Sequence, residues 1–292
     1  MMNKTIAFLL YLSFVIAACS SNPIQESAQE AQPNPVVAGP SPLQIAIASA
    51  DFEVGMPRLP FILFDGPERV ADAQRVRLAT FDLASGAPTA TGWNGEAVNY
   101  SDYDIPYWVA YPEISAPGFW GIVADVILAD GSQVQSQFVI ETVAETSGLS
   151  IGAEAPPSQN RTLETEPDIA KLTSGIDPVL DFYQLTVAAA LETEKPIVVA
   201  FTTPAFCQSQ LCAPVLDSVE DVHAELGAQV NFIHIEVYKD FETFEFADEM
   251  AEWGLNTEPW VYVVGIDGLI ATRFGGPVSP RELTETIEFI LQ

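Results

Sequence analysis

Two kinds of apolar patterning divide the chain. Between residues 43 and 147 apolar and polar positions alternate in short runs, whereas beyond residue 171 longer apolar runs are separated by stretches of helical spacing. Residues 43–47 (LQIAI) alternate, 59–64 form an apolar run, and 75–81 (RVRLATF) place Val76, Leu78 and Thr80 on one face. Residues 108–111, 121–128 and 133–140 are further strand candidates, and Asp130-Gly131 between the last two is a tight-turn signal. No helical period interrupts this half, which predicts some seven short strands over about 100 residues, an all-β sandwich.

The second half changes grammar. Residues 181–194 carry apolar side chains at 182, 185, 189 and 191 among good helix formers, and Lys195-Pro196 ends that helix. Residues 197–201 (IVVAF) are continuously apolar, as suits a strand buried on both faces. Helical spacing returns at 215–226, a second buried strand is expected at 230–237, and a helix over 241–253 stops at Gly254. Residues 260–264 and 269–274 read as a hairpin around Ile266-Asp267-Gly268. Ser279, Pro280 and Glu282 then open a last helix with a capping box. Strand, helix, strand, helix, hairpin, helix is an α/β layout with a mixed sheet over 171–292, entered through a Gly/Pro-rich linker at 148–170.

The first residues have a different character. Lys4 precedes an apolar run over 6–18 broken only by Ser13, too short to cross a bilayer core of about 30 Å as a helix. It matches the apolar region of a secretory signal at 1–18. Ile16-Ala17-Ala18-Cys19 resembles the lipobox of bacterial lipoproteins, which implies acylation of Cys19 and an extracytoplasmic protein anchored by lipid to a bacterial membrane. Residues 19–42, rich in Ser, Pro, Gln and Ala, read as a disordered tether.

Composition narrows the classes. The formal charge is −29, from 40 acidic and 11 basic residues. Such a surface repels nucleic acid and anionic headgroups and excludes both as expected partners. The 43–147 segment, with its terminal hairpin, loosely resembles immunoglobulin-like domains of bacterial envelope proteins and implies a spacer or partner-binding module. Trp93, Tyr100, Tyr103, Tyr107, Trp108 and Tyr111 cluster near one long connection there, and core packing is the preferred account of them over a recognition surface.

Only three cysteines occur: Cys19, Cys207 and Cys212. FTTPAFCQSQLCAP at 201–214 resembles the stretch in which the first strand of the thioredoxin superfamily runs into its active-site helix. Thr257-Glu258-Pro259-Trp260 resembles the cis-proline loop of that superfamily, and Gly275-Gly276 before the last helix also fits. The resemblance spans 177–292 and implies thiol–disulfide exchange, with Cys207 as nucleophile, Cys212 as resolving thiol, and Phe206, Glu258 and Pro259 along the path of a substrate chain. The departures are a Cys-x4-Cys spacing in place of Cys-x2-Cys, no Gly-Pro between the cysteines, and no carboxylate in the strand 197–201.

The spacing sets a geometric condition. On an ideal helix two residues five apart have Cα atoms ~8–9 Å apart, beyond disulfide range, so a bond requires Cys207 to lie ahead of the helix or the first turn to be distorted. Near a helix N-terminus, orphan N–H groups and the dipole favour thiolate. Three readings of the pair stay open: exchange with protein thiols or disulfides of the cell envelope, with no cofactor; a static disulfide contributing about 2 kcal/mol; and copper binding, as in the Sco-type delivery proteins. Those also use a histidine, whereas His234 lies in a strand pattern and His223 on a polar helix, both more simply structural. A non-enzymatic envelope scaffold with a structural disulfide is the remaining class. No phosphate loop, zinc-protease helix or serine elbow is present.

Overall fold

Alternation in the first half resolves into two antiparallel sheets. The computed structural model describes residues 43–292 apart from Ala50, Ser85 and Ser147; the expected signal, Cys19 and the tether lie outside the described residues. The strands are β1 (Leu43–Ile47), β2 (Leu59–Asp65), β3 (Glu68–Arg69), β4 (Arg75–Asp82), β5 (Thr89–Glu96), β6 (Val98–Tyr100), β7 (Tyr107–Ala110), β8 (Gly118–Ile127) and β9 (Gln133–Thr142). One sheet has the order β1-β2-β7-β6, with β3 paired to β2, and the other has the order β5-β4-β8-β9. Leu59, Phe61, Leu63 and Trp108 of the first sheet meet Val76, Leu78, Trp120, Ile122 and Ile140 of the second in one core. Asp130-Gly131 turns the β8–β9 hairpin as expected, with Gly131 at φ +83°. β5 escapes the pattern because it is an edge strand, largely exposed and interrupted by Gly92 and Gly95.

The second half contains α1 (Val187–Leu191), β10 (Ile197–Thr202), α2 (Cys212–Leu226), β11 (Asn231–Glu236), β12 (Tyr238–Asp240), β13 (Glu245–Phe246), α3 (Asp248–Glu252), β14 (Trp260–Val264), β15 (Ile270–Gly275) and α4 (Pro280–Ile290). Its central sheet runs β11-β10-β14-β15, with β10 parallel to β11 and antiparallel to β14. Val198, Ala200, Val261 and Val263 pack beneath α2 and α4, while Val199, Phe201, Tyr262 and Val264 pack against Val187, Met250 and Trp253. Both faces are covered, which is why β10 and β14 are buried throughout and apolar but for Thr202 and the Tyr262 hydroxyl.

Two helices expected from spacing are shorter than the pattern suggested. Residues 181–194 divide into a 3-10 turn at Leu180–Tyr183 and α1, which is capped by Thr186 accepting from the Ala189 N–H. Phe182 and Tyr183 belong to the α2 side of the sheet and Val187 and Ala190 to the other, so this segment passes from one layer to the other. Residues 241–253 keep only α3. Ahead of it, Asp240 accepts from the N–H groups of Glu242 and Thr243, Phe244 takes φ +54°, and the chain doubles back as the β12–β13 ribbon. A local side-chain turn competes there with the helix. Of residues 148–170, read as a linker, the stretch 152–155 runs beside the start of β15, and Leu163 donates to the Tyr183 carbonyl. Gly152 and Ala155 donate to the carbonyls of Ile270 and Gly268, and Ala153 accepts from Ile270. Ala155 enters the core, and Asn160 accepts from the Val187 N–H at 2.8 Å.

The sandwich is welded to this sheet through charge. Ser279 caps α4 by accepting from the Glu282 N–H, but the return arm of the expected capping box is absent. Instead the Ser279 N–H donates to Tyr107 Oη at 2.8 Å, and Tyr107 donates to Glu282 at 2.5 Å. Arg58 grips both Glu282 oxygens at 2.7 Å and donates to the Pro277 carbonyl. The reason is burial: both charges are almost wholly enclosed, so each needs the other. Desolvation opposes the charge on Arg58, but Glu282 outweighs it and keeps the guanidinium protonated. Burial, and then Glu282, push the Tyr107 phenol far above its usual range, so it stays a donor. Nearby, a Cβ on Gly276 (φ +82°) would fall 1.9 Å from the Ala48 carbonyl oxygen, so only glycine fits this close approach.

Replacing Glu282 by Ala is expected to cost about 3–5 kcal/mol by stranding Arg58, and Tyr107→Phe about 1–3 kcal/mol by leaving the Ser279 N–H unpaired. Urea unfolding followed by tryptophan fluorescence checks both. The double replacement Arg58→Met with Glu282→Leu is expected to recover most of the loss.

Candidate functional site

β10 delivers the chain at Thr202 into a loop over 203–211, and α2 begins at Cys212 itself. Cys207 lies in that loop and forms a disulfide with Cys212, with the Cα atoms 5.9 Å apart, inside the usual range. The loop closes because Gln210 takes φ +62°, in the left-handed region. The condition set by the five-residue spacing is met in this way, with the second cysteine, not the first, as the opening residue of the helix. Leu211 offers no side-chain cap, and the Cys212 N–H donates to Cys207 Sγ at 3.2 Å. One of the orphan donors of α2 therefore ends on sulfur. Cys212 is fully buried, Cys207 is half-buried, and Ser209 Oγ is 3.3 Å from the Cys207 sulfur.

The other expected residues gather here. The Glu258–Pro259 bond is cis, and the Pro259 carbonyl accepts from the Gly276 N–H at 3.1 Å. Glu258 accepts from the Gln208 N–H at 3.4 Å, and one of its oxygens and the two cysteine sulfurs all lie within 4.8 Å of one another. Phe206 packs against Phe241 and Phe244, with ring centroids 5.4 and 5.3 Å away. Phe244 and Phe246 are each about half exposed (50% and 47%) and extend an aromatic patch from the disulfide loop. Reading 241–253 as a helix hid this patch; the aromatic repeat at Phe241, Phe244 and Phe246 was its available signal.

Beneath the loop lies a buried polar layer that local patterning did not reveal. β10 has no carboxylate, but Glu236 stands beside Thr202 on the neighbouring strand, buried, and accepts from Ser174 N–H and Oγ–H at 2.8 Å each. Ser174 Oγ in turn accepts from the Ala205 N–H, tying this acid to the loop that carries Cys207. Glu236 two residues after His234 in the buried FIHIEV run was the available signal. His234 is bound by the Tyr183 hydroxyl at Nδ1 and by Thr202 at Nε2, and His223 sits between the rings of Phe182 and Phe232. Among the described residues, the ligand group at the cysteines is Cys207, Cys212 and Glu258, without a histidine.

The sandwich reaches this site too. Tyr100, Tyr103 and Tyr107 are buried with Ile62, Ile105 and Val109 against Leu211, the residue before Cys212. Trp108 points into the sandwich core, Trp93 is half-buried, and Tyr111 is the exposed member at 43%. Core and interface packing therefore accounts for most of the aromatic cluster.

No protein-family model matches the chain, and no curated protein matches it. Among solved structures the chain is similar to chloroplastic thioredoxin z, at 18% identity over 35% of this chain and 84% of that one, with a TM-score of 0.30. It is similar to a thiol:disulfide interchange protein of the thioredoxin family from Chlorobium tepidum TLS, at 14% identity over 48% of this chain and 100% of that one, with a TM-score of 0.31. It is also similar to CopC from Methylosinus trichosporium OB3b, at 14% identity over 35% of this chain and 92% of that one, with a TM-score of 0.25. At values this low the overlaps carry no argument. The strand order β11-β10-β14-β15, with α2 rising from the cysteine loop, is what makes the C-terminal half thioredoxin-like.

The buried layer has a pH signature. Burial pushes His234 below its ordinary value of 6.5, against the opposing pull of Glu236. A histidine depressed in the folded state takes up protons more readily when unfolded, so its contribution is complete above about pH 6.5 and declines as the pH falls. The stability difference between the native chain and His234→Gln is expected to shrink below that pH by up to about 1.4 kcal/mol per unit. Urea midpoints at pH 7.5 and 5.5 measure it.

Proposed function

We propose that this protein is a thiol–disulfide oxidoreductase-like protein of the cell envelope, acting through Cys207 and Cys212. The observation that carries the reading is the Cys212 N–H directed at the half-buried Cys207 sulfur while Cys212 itself is enclosed. An N–H at a helix start favours the anion on the outer sulfur once the pair is reduced. Cys207 thiolate attacks a substrate disulfide, forming a mixed disulfide and releasing one substrate thiolate. Cys212, giving its proton to that thiolate, then attacks Cys207 Sγ and frees the second, regenerating the internal bond. Run backwards, the oxidised pair accepts two electrons from a substrate dithiol.

Phe206, Phe244 and the loop at Glu258 and Pro259 flank the sulfurs and supply the surface for a substrate chain. The sheet orders β1-β2-β7-β6 and β5-β4-β8-β9 support reading 43–147 as an immunoglobulin-like mount. Export and anchoring through Cys19 rest on the residues of 1–19, and protein thiols and disulfides of the envelope are the partners that follow. The alternatives are a Sco-like copper protein, which would have to do without a neighbouring histidine, and a scaffold whose disulfide is structural.

Reduced protein is expected to accelerate insulin-disulfide reduction. Cys207→Ser is expected to abolish this, and Cys212→Ser to accumulate a Cys207 mixed disulfide. Phe244→Asn is expected to slow reaction with insulin several-fold while sparing a small aromatic disulfide. An inert wild-type protein in both assays removes the exchange reading.

A further inference from the structure

The loop at Glu258 and Pro259 can line a substrate path with its backbone, but exchange chemistry does not call for the Glu258 carboxylate itself. A carboxylate beside two sulfurs opposes thiolate formation, since like charges at short range disfavour each other. Its contact on the loop is a 3.4 Å hydrogen bond from the Gln208 N–H, and the chain as a whole carries a formal charge of −29. Three donor atoms, one carboxylate oxygen and two sulfurs, lie within 4.8 Å of one another. Cys212 forms the floor, and Cys207 and Glu258 are only half-buried, which leaves one side open to solvent.

We propose that the reduced protein binds one divalent ion of the zinc class through Cys207, Cys212 and Glu258, with its fourth position open. Metal–sulfur bonds of about 2.3 Å and metal–oxygen bonds of about 2.0–2.2 Å place tetrahedral ligand atoms roughly 3.5–3.8 Å apart. The cluster reaches that spacing by shifts on the order of an ångström once the disulfide opens. A mixed thiolate and carboxylate set suits a borderline divalent ion better than Cu(I), which prefers sulfur alone. Oxidation removes two of the three ligands, so occupancy is gated by redox state. A dithiol donor reduces the disulfide to two thiols and becomes a disulfide itself. The ion then displaces two protons to form two metal–sulfur bonds, and while it is bound neither sulfur is free to attack a substrate.

This inference rests on the proposed reducibility of the pair, and the experiment separates the two. The full chain is reduced by an excess of dithiol, desalted without oxygen, and its thiols are counted at Cys207 and Cys212. It is then titrated with Zn2+ against a chromophoric chelator, beside oxidised protein as the control for the acidic surface. The expected result is one ion per reduced chain above that control, lost in Cys212→Ser, and an affinity lowered roughly 10-fold or more in Glu258→Gln. Stoichiometric Zn2+ is expected to suppress insulin reduction by the wild type. Two free thiols with no excess binding over the oxidised control, or an unchanged affinity in Glu258→Gln, overturns the metal site and leaves exchange standing. Failure of the thiols to appear overturns both.

Discussion

A charged pair enclosed between two sheets organises this molecule. Arg58 comes from the sandwich and Glu282 from the first turn of α4, and neither is tolerable in that interior without the other. Tyr107 completes the arrangement by donating to Glu282 and accepting from the Ser279 N–H, so the start of α4 is capped by its own Ser279 hydroxyl and completed by the sandwich. Arg273 with Asp51 and Glu53, and Arg281 with Asp102 over the ring of Tyr100, extend the same junction. Three of the 11 basic residues, Arg58, Arg273 and Arg281, are committed to this junction.

That junction bears directly on the cysteines. Leu211 is clamped by Tyr100, Tyr103 and Tyr107, and the next residue is Cys212, the first of α2. On the other side of the loop, Glu236 holds Ser174, which holds the Ala205 N–H. The loop carrying Cys207 is thus pinned at both shoulders, while Cys207 stays accessible and meets a helix N–H. A loop pinned at both ends around one half-buried sulfur suits the exchange chemistry proposed above, because the attacking atom must be positioned without being sealed.

Two glutamates near the sulfurs have opposite surroundings. Glu236 is buried and its carboxylate accepts three hydrogen bonds, from Ser174 twice and from the Val237 N–H, so its charge is absorbed by the protein. Glu258 is half-buried and faces the sulfurs. The first stabilises the loop and the second leaves a negative charge beside the pair. That contrast sets the structural role of Glu236 apart from the ligand role proposed for Glu258.

Much of this was legible locally. Period-two alternation marked β1, β4 and β9, continuous apolar runs marked β10 and β14, and Ser279-Pro280 marked the start of α4, because each depends on neighbours within a few residues. The cysteine pair and the Glu258-Pro259 loop were legible for the same reason. What tertiary structure alone decided is which surface each pattern meets. β7 is buried on both faces because α2 and α4 sit beside the sandwich, β12 and β13 replace a helix because Asp240 turns the chain and Phe206 receives its aromatics, and Glu282 leaves its cap for Arg58. Sequence determines periodicity and chemistry over one or two turns; the partner of a buried charge is set by segments far along the chain, 62 residues away for Glu236 and 224 for Glu282.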